Sequence, residues 1–272
     1  MTSRQGRVFA GYRMHNMKRT LSLSALLGLV ALSSIALGVG QDAPPASKGP
    51  VPAGKIIGRV LFEGEKPKVK PLTVAAAQSV GCCSASENVD DQDRSLLIGE
   101  KLGIANVVVS LTVKDAKVQV SEKPVVYNQK SCRFEPHVLV VPVGTTVSFT
   151  NSDKCVHNVH LYAFHNTGFN RAVPEGKDAK GTFKRAEAIK VSCDIHPWMT
   201  GYVVVTDATH WALTDAKGNF SLEGIPAGTY ELQVWHEKLG KAKAEVTVKA
   251  DGIAEPIELK MAPKKPRTRR RK

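Results

Sequence analysis

Cys193, His196 and Met199 place a thiol, an imidazole and a thioether three residues apart each time, within Val191-Ser-Cys-Asp-Ile-His-Pro-Trp-Met-Thr-Gly201. Ile189, Val191 and Cys193 alternate along the strand that leads in, so Cys193 points with the apolar face at the strand's end. Pro197 and Gly201 mark a tight turn before a second strand, Tyr202-Val-Val-Val205. A loop this short can bend all three donors around one point. Two soft sulfurs and an imidazole suit copper, and a His-His-Cys set with a weak axial Met is the donor set of blue-copper electron-transfer sites. The loop is one histidine short of that set.

The missing donor must come from another strand, and the chain offers Thr150-Asn-Ser-Asp-Lys-Cys-Val-His-Asn-Val-His-Leu161. His157 falls in step with Val159 and Leu161, on the apolar side; His160 falls in step with Asn158 and Tyr162, on the other. His157 is therefore the expected fourth ligand, and His160 replaces it if the register is shifted by one. The backbone amide of Asn158 could then donate to the Cys193 thiolate, the kind of contact that tunes a metal centre. Among the other histidines, His137 is expected to be structural, and His236, in step with Leu232 and Val234, to point inward. His165 is a lesser candidate. Trp198 between His196 and Met199 is either an exposed aromatic at a docking face or a packing residue.

These residues need rigid elements behind them, and the surrounding sequence supplies strands. Residues 138–141, 145–150 and 158–162 are short, β-branched and broken by turn residues at 142–144 and 151–153. Val147 and Phe149 face one way, Ser148 and Thr150 the other. Such a pattern predicts an antiparallel β-sandwich. At most a helical turn or two is expected, over 163–180. Upstream, 55–63 reads as a strand, and 103–113, with Val107, Val108 and Val109 in succession, as a strand covered on both faces.

Phe149-Thr-Asn151, His157-Asn158-Val159 and Cys193-x2-His196-x2-Met199-x-Gly201 together resemble a cupredoxin of the plastocyanin and amicyanin type, the wording of the loop being nearest to amicyanin. The resemblance covers roughly residues 120–206. It implies an all-β, Greek-key sandwich holding one type 1 copper ion on His157, Cys193, His196 and Met199. It also implies a protein that carries single electrons between redox partners, such as a c-type cytochrome or a periplasmic dehydrogenase. Cys155 departs from the pattern, as a second thiol near His157 that could compete for metal or be oxidised. Zinc is the weaker reading, since tetrahedral zinc sites rarely take a thioether. An enzyme is not expected. No nucleophile elbow surrounds Ser192, no phosphate-binding glycine loop is present, and four protein donors leave no open metal position for a substrate.

After residue 206 the texture changes. Thr214-Asp-Ala-Lys-Gly-Asn-Phe220 and Pro226-Ala-Gly-Thr-Tyr230 resemble the repeated wording of the carboxypeptidase regulatory-like (transthyretin-like) β-sandwich, with 246–248 and 257–259 completing it. That module implies a fold and no chemistry of its own. The expected order is a signal peptide over 1–40, a Pro/Gly-rich linker over 41–54, a copper domain over 55–206, the second sandwich over 207–262 and a basic tail over 263–272. At fewer than sixty residues the second sandwich is a marginal core, so it is expected to dock against the first.

The formal charge of +13 is confined to the ends: residues 1–40 hold five Lys/Arg and no acid, residues 264–272 hold seven, and the chain between is nearly neutral. No nucleic-acid partner follows from it. The apolar run from 21 to 39 behind Lys18 and Arg19 reads as a cleaved secretory signal, giving a periplasmic, extracellular or cell-surface protein with no integral membrane segment once processed. The tail is a solvated end, or a contact with an anionic surface or an acidic redox partner. In an oxidising compartment five cysteines leave one unpaired. With Cys193 on copper, a bond from Cys83 or Cys82 to Cys132 is the expected pairing. The alternatives to electron transfer are a copper carrier or sensor, and a cell-surface binding module.

Overall fold

The computed structural model describes residues 53–68, 70–72, 83, 92–252 and 254–263. The expected signal peptide, most of the linker and nearly all of the basic tail lie outside the described residues. Every described strand belongs to one compact unit, and the only helical piece among the described residues is a 3-10 turn, Glu100–Leu102.

The first sandwich begins at β3 (Val125–Lys130), which turns tightly into β4 (Arg133–Glu135). After them come β5 (Val138–Pro142), β6 (Thr146–Asn151), β7 (His157–Tyr162), β8 (Asn170–Val173), β9 (Asp178–Thr182), β10 (Glu187–Ser192) and β11 (Thr200–Thr206). They form a five-stranded sheet in the order β5-β11-β10-β7-β8 and a four-stranded sheet in the order β4-β3-β6-β9. Strand alternation fills the space between. Val147 and Phe149 of β6, with Tyr127 and Phe134, meet Val159 and Leu161 of β7, Ile189 and Val191 of β10, and Val203 and Val205 of β11. Each such fully buried side chain contributes about 1.5–3 kcal/mol. Val204, on the opposite face of β11, packs instead with Val138 and Val108.

That second face is where the other sandwich sits. Its strands are β1 (Gly54–Phe62), β2 (Val108–Leu111), β12 (His210–Leu213), β13 (Asn219–Ile225), β14 (Gly228–His236), β15 (Gly240–Val248) and β16 (Ile257–Met261). They form sheets in the orders β13-β1-β16 and β12-β2-β14-β15. The Thr214–Tyr230 wording makes the expected turns. Asp215 Oδ1 accepts the amides of Lys217 and Asn219, both at 2.8 Å, and Gly218 takes the positive φ of +79° that the turn needs.

One expectation is corrected here. The boundary at 55 gave β1 and β2 to the copper domain, but their pairing places them in the second sandwich. β1 is the sole link between β13, which it meets antiparallel, and β16, which it meets parallel. β2 likewise joins β12 to β14. Residues 207–262 alone would leave both sheets split, so the small module completes its core with strands from far upstream. The turn or two of helix that 163–180 could have held does not form: β8 and β9 occupy much of that stretch, pairing with β7 and β6. The amides of Phe164, His165 and Asn166, which could have opened a helix, are taken by the Glu187 carboxylate.

Polar groups fasten the seam between the sandwiches. His137 Nε2 hydrogen-bonds the Glu237 carboxylate, with the two side chains 6% and 8% exposed, and Tyr202 meets Trp235 edge-on at 5.2 Å. His236 is buried, accepting the amide of Lys238 on Nδ1 at 3.2 Å. Burial, reinforced by the charges of His137 and Lys238, holds its pKa down to about 4. Both histidines are thus structural, as expected. Glu237→Ala leaves the buried His137 nitrogen without its partner and is expected to cost about 1–3 kcal/mol. Urea unfolding reads this directly, and an unmoved midpoint would show that the pair does not hold the seam.

Candidate metal centre

β10 ends at Ser192, which lies opposite His160 of β7 and Thr200 of β11. Cys193 is the next residue, at the rim of the core. The loop from 193 to 199 is closed on itself: Cys193 N–H donates to Met199 O at 3.1 Å, and Met199 N–H to His196 O at 2.8 Å. Cys193 and Met199 therefore end the hairpin side by side, both 1% exposed. His196 turns inward from between them, 4% exposed, with Trp198 packed edge-on against its ring at 5.2 Å. Trp198 is 7% exposed, so packing is its role.

His157, fully buried, arrives from the start of β7. The loop that delivers it is shaped by Asn151, whose Nδ2 donates to Cys155 O at 2.7 Å and Val173 O at 2.8 Å. The Nδ1 atoms of His157 and His196 lie 3.0 Å apart, and Cys193 Sγ lies 3.6 Å from His196 Nδ1. All three donors fall within 4.8 Å of one another. His160, the alternative, points the other way: it is 32% exposed and bonds Asp194 at 3.0 Å. His165 is in an exposed loop.

Asn158 ties the loop to β7. Its amide donates to Cys193 Sγ at 3.4 Å, as expected. Its Oδ1 accepts the Asp194 and Ile195 amides at 2.7 and 3.3 Å. Burial raises the Cys193 pKa, but the neighbouring His157 and His196 imidazoles and the Asn158 amide outweigh burial and bring it down to about 6. Burial likewise pushes the His157 pKa down, yet the Asp153 carboxylate and the Cys193 sulfur beside it leave it raised. Cys193 is thus poised as a thiolate, the form that ligates metal.

The donor set fits a soft cation. Two imidazole nitrogens facing each other at 3.0 Å repel if both are lone pairs, and a shared cation beside a thiolate relieves that repulsion in a site that excludes water. Cys155 is no competitor, because it is disulfide-bonded; Cys83 is joined to Cys132, and Cys193 is the free thiol among the described residues. Sequence reasoning missed Asp153, whose Oδ2 lies 2.9 Å from His157 Nε2. A carboxylate four residues before the histidine was the available signal, but Asn151-Ser-Asp153 reads first as a turn.

Residues 199–262 match the family model of the carboxypeptidase regulatory-like domain. The chain thus joins two β-sandwiches, the first holding the candidate centre and the second carrying most of the carboxypeptidase regulatory-like match. The family match starts at Met199 and so takes in β11, which by its pairing belongs to the first sandwich. Among solved structures, the chain is similar to a novel purple cupredoxin from Nitrosopumilus maritimus, with 26% identity over 30% of this chain and 99% of that one, at a TM-score of 0.27. It is similar to a reduced amicyanin variant, with 25% identity over 36% and 98% and a TM-score of 0.30. It is also similar to the Cu-containing nitrite reductase from Thermus scotoductus SA-01, with 27% identity over 35% of this chain but 25% of that one, and a TM-score of 0.30. No curated protein matches the chain.

Proposed function

We propose that this chain is an exported type 1 copper protein that carries single electrons between redox partners and is not an enzyme. What supports the reading is the convergence of His157, Cys193 and His196 within 4.8 Å in a buried site, with Met199 buried at the end of the same loop. Bound copper would supply a Cu(II)/Cu(I) couple. Cys193 would hold it as a thiolate and supply strong electronic coupling, His157 and His196 would hold it through imidazole nitrogen, and Met199 would serve as the weak donor that tunes potential.

The surrounding strands would hold these donors in place as the charge changed, keeping reorganisation small. With four donors supplied by the protein, a bound copper ion would have no position left for a substrate. No helix among the described residues is long and apolar enough to cross a membrane; export is read from the leader sequence. A c-type cytochrome or a periplasmic dehydrogenase is the class of partner proposed, and no nucleic acid.

Mixing the reduced, copper-loaded protein with an oxidised c-type cytochrome tests this. Rapid reduction of the cytochrome with copper retained supports electron carriage; copper surrendered intact to an acceptor protein supports a carrier instead. Met199→Gln is expected to keep the visible colour and lower the reduction potential, measured by redox titration. Loss of all copper in that variant would contradict the part given to Met199.

A further inference from the structure

The two ring nitrogens of His157 face opposite ways. Nδ1 faces His196, and Nε2 faces the carboxylate of Asp153 at 2.9 Å. That carboxylate, 13% exposed, is itself fixed. Oδ1 accepts the amide of Ser131 at 2.7 Å and Oδ2 the amide of Cys132 at 2.8 Å. Both amides belong to the tip of the β3–β4 hairpin, where Ser131 and Cys132 take φ of 52° and 58°. Positive φ at both central residues is the signature of a two-residue primed turn, a stiff element whose twist matches its strands. Cys132 is further fastened by its disulfide to Cys83. Asp153 is therefore held by backbone amides of one strand pair while it faces a histidine of the opposite sheet.

A histidine's metal-binding nitrogen is set by the hydrogen bond made by its other nitrogen. Cys155 Sγ also lies 3.7 Å from Nε2, but a neutral sulfur is a weak acceptor beside a carboxylate. We propose that Asp153 is a positioning residue for the metal centre. Mounted on the disulfide-tied Ser131–Cys132 turn, it holds His157 in the Nε2–H form and keeps the Nδ1 lone pair aimed at the ion. Its consequence for copper rests on the function proposed above; the tautomer does not.

Nitrogen-15 NMR of the metal-free protein, labelled at histidine, tests the first half. Wild type is expected to show neutral His157 protonated on Nε2 alone. Asp153→Ala is expected to mix the two tautomers, and Asp153→Asn, which keeps an acceptor oxygen, to stay with Nε2–H. Copper titration tests the second half. Asp153→Ala is expected to lose about 10–100-fold in affinity and to shift the copper spectrum, while Asp153→Asn stays within about threefold of wild type.

A wild-type ring protonated on Nδ1 overturns the proposal with no variant needed, which covers the case of Asp153→Ala failing to fold. An Asp153→Ala protein that is less stable but unchanged in tautomer and copper affinity also overturns it, because Asp153 would then only brace the turn. Should wild type show Nε2–H yet bind no copper, the copper reading falls while the tautomer assignment stands.

Discussion

Cys193→Ser is expected to lose the intense visible band of the Cu(II) protein while keeping the fold. The colour of such a site comes from charge transfer out of a thiolate, and Cys193 is the free thiol among the described residues. A hydroxyl retains the hydrogen bonds available at that position, from the Asn158 amide and to Asn158 Oδ1. The metal-free variant should therefore stay within about 1 kcal/mol of wild type. The Cys83–Cys132 disulfide is untouched. Absorption spectra and urea unfolding of the same preparations separate the two effects. A variant that keeps its colour would place the chromophore elsewhere, and a variant that unfolds would make Cys193 a core residue first and a ligand second.

Gly201→Ala is expected to do the reverse, damaging the fold behind the site. A Cβ on residue 201 would lie 2.2 Å from Tyr127 Oη, 2.9 Å from His137 O and 3.2 Å from Phe134 Cβ. Tyr127 is fully buried, and its hydroxyl donates to His137 O at 3.2 Å, so it cannot swing aside cheaply. Overpacking and a displaced buried hydroxyl together are expected to cost about 2–4 kcal/mol. Adding Tyr127→Phe to Gly201→Ala removes the oxygen that clashes and should recover part of that loss, a coupling that a double-mutant cycle measures. Wild-type stability in the single variant would mean that β11 has room the packing denies. Because Gly201 lies two residues past Met199, copper retention should weaken in parallel with stability.

Local spacing made the gathering of the loop's side chains legible. Cys193, His196 and Met199 are close in sequence, and strand alternation alone chose His157 over His160, which the structure places outside. The Asn158 amide followed from the same register. Long-range pairing was not legible. The Val107–Val109 run announces a strand covered on both faces, and β2 is buried throughout, but alternation cannot say which sheet does the covering. β1 pairs with strands more than 150 residues away, so its allegiance had to be read from structure. Asp153 escaped for a related reason. Asp in a turn commonly bonds its own backbone, whereas this one reaches across to a different hairpin. The strands at 170–182 were obscured by polar, exposed residues that carry almost no apolar period, β8 burying only Val173.

Visible absorption and EPR spectra of the Cu(II)-loaded, otherwise unaltered protein test the central claim most directly. Coordination by Cys193 together with His157 and His196 predicts a strongly coloured protein whose EPR spectrum has the narrow copper hyperfine splitting of a covalent thiolate bond. A colourless oxidised protein with the wide splitting of ordinary nitrogen- and oxygen-bound copper, or one that binds no copper at all, would contradict it.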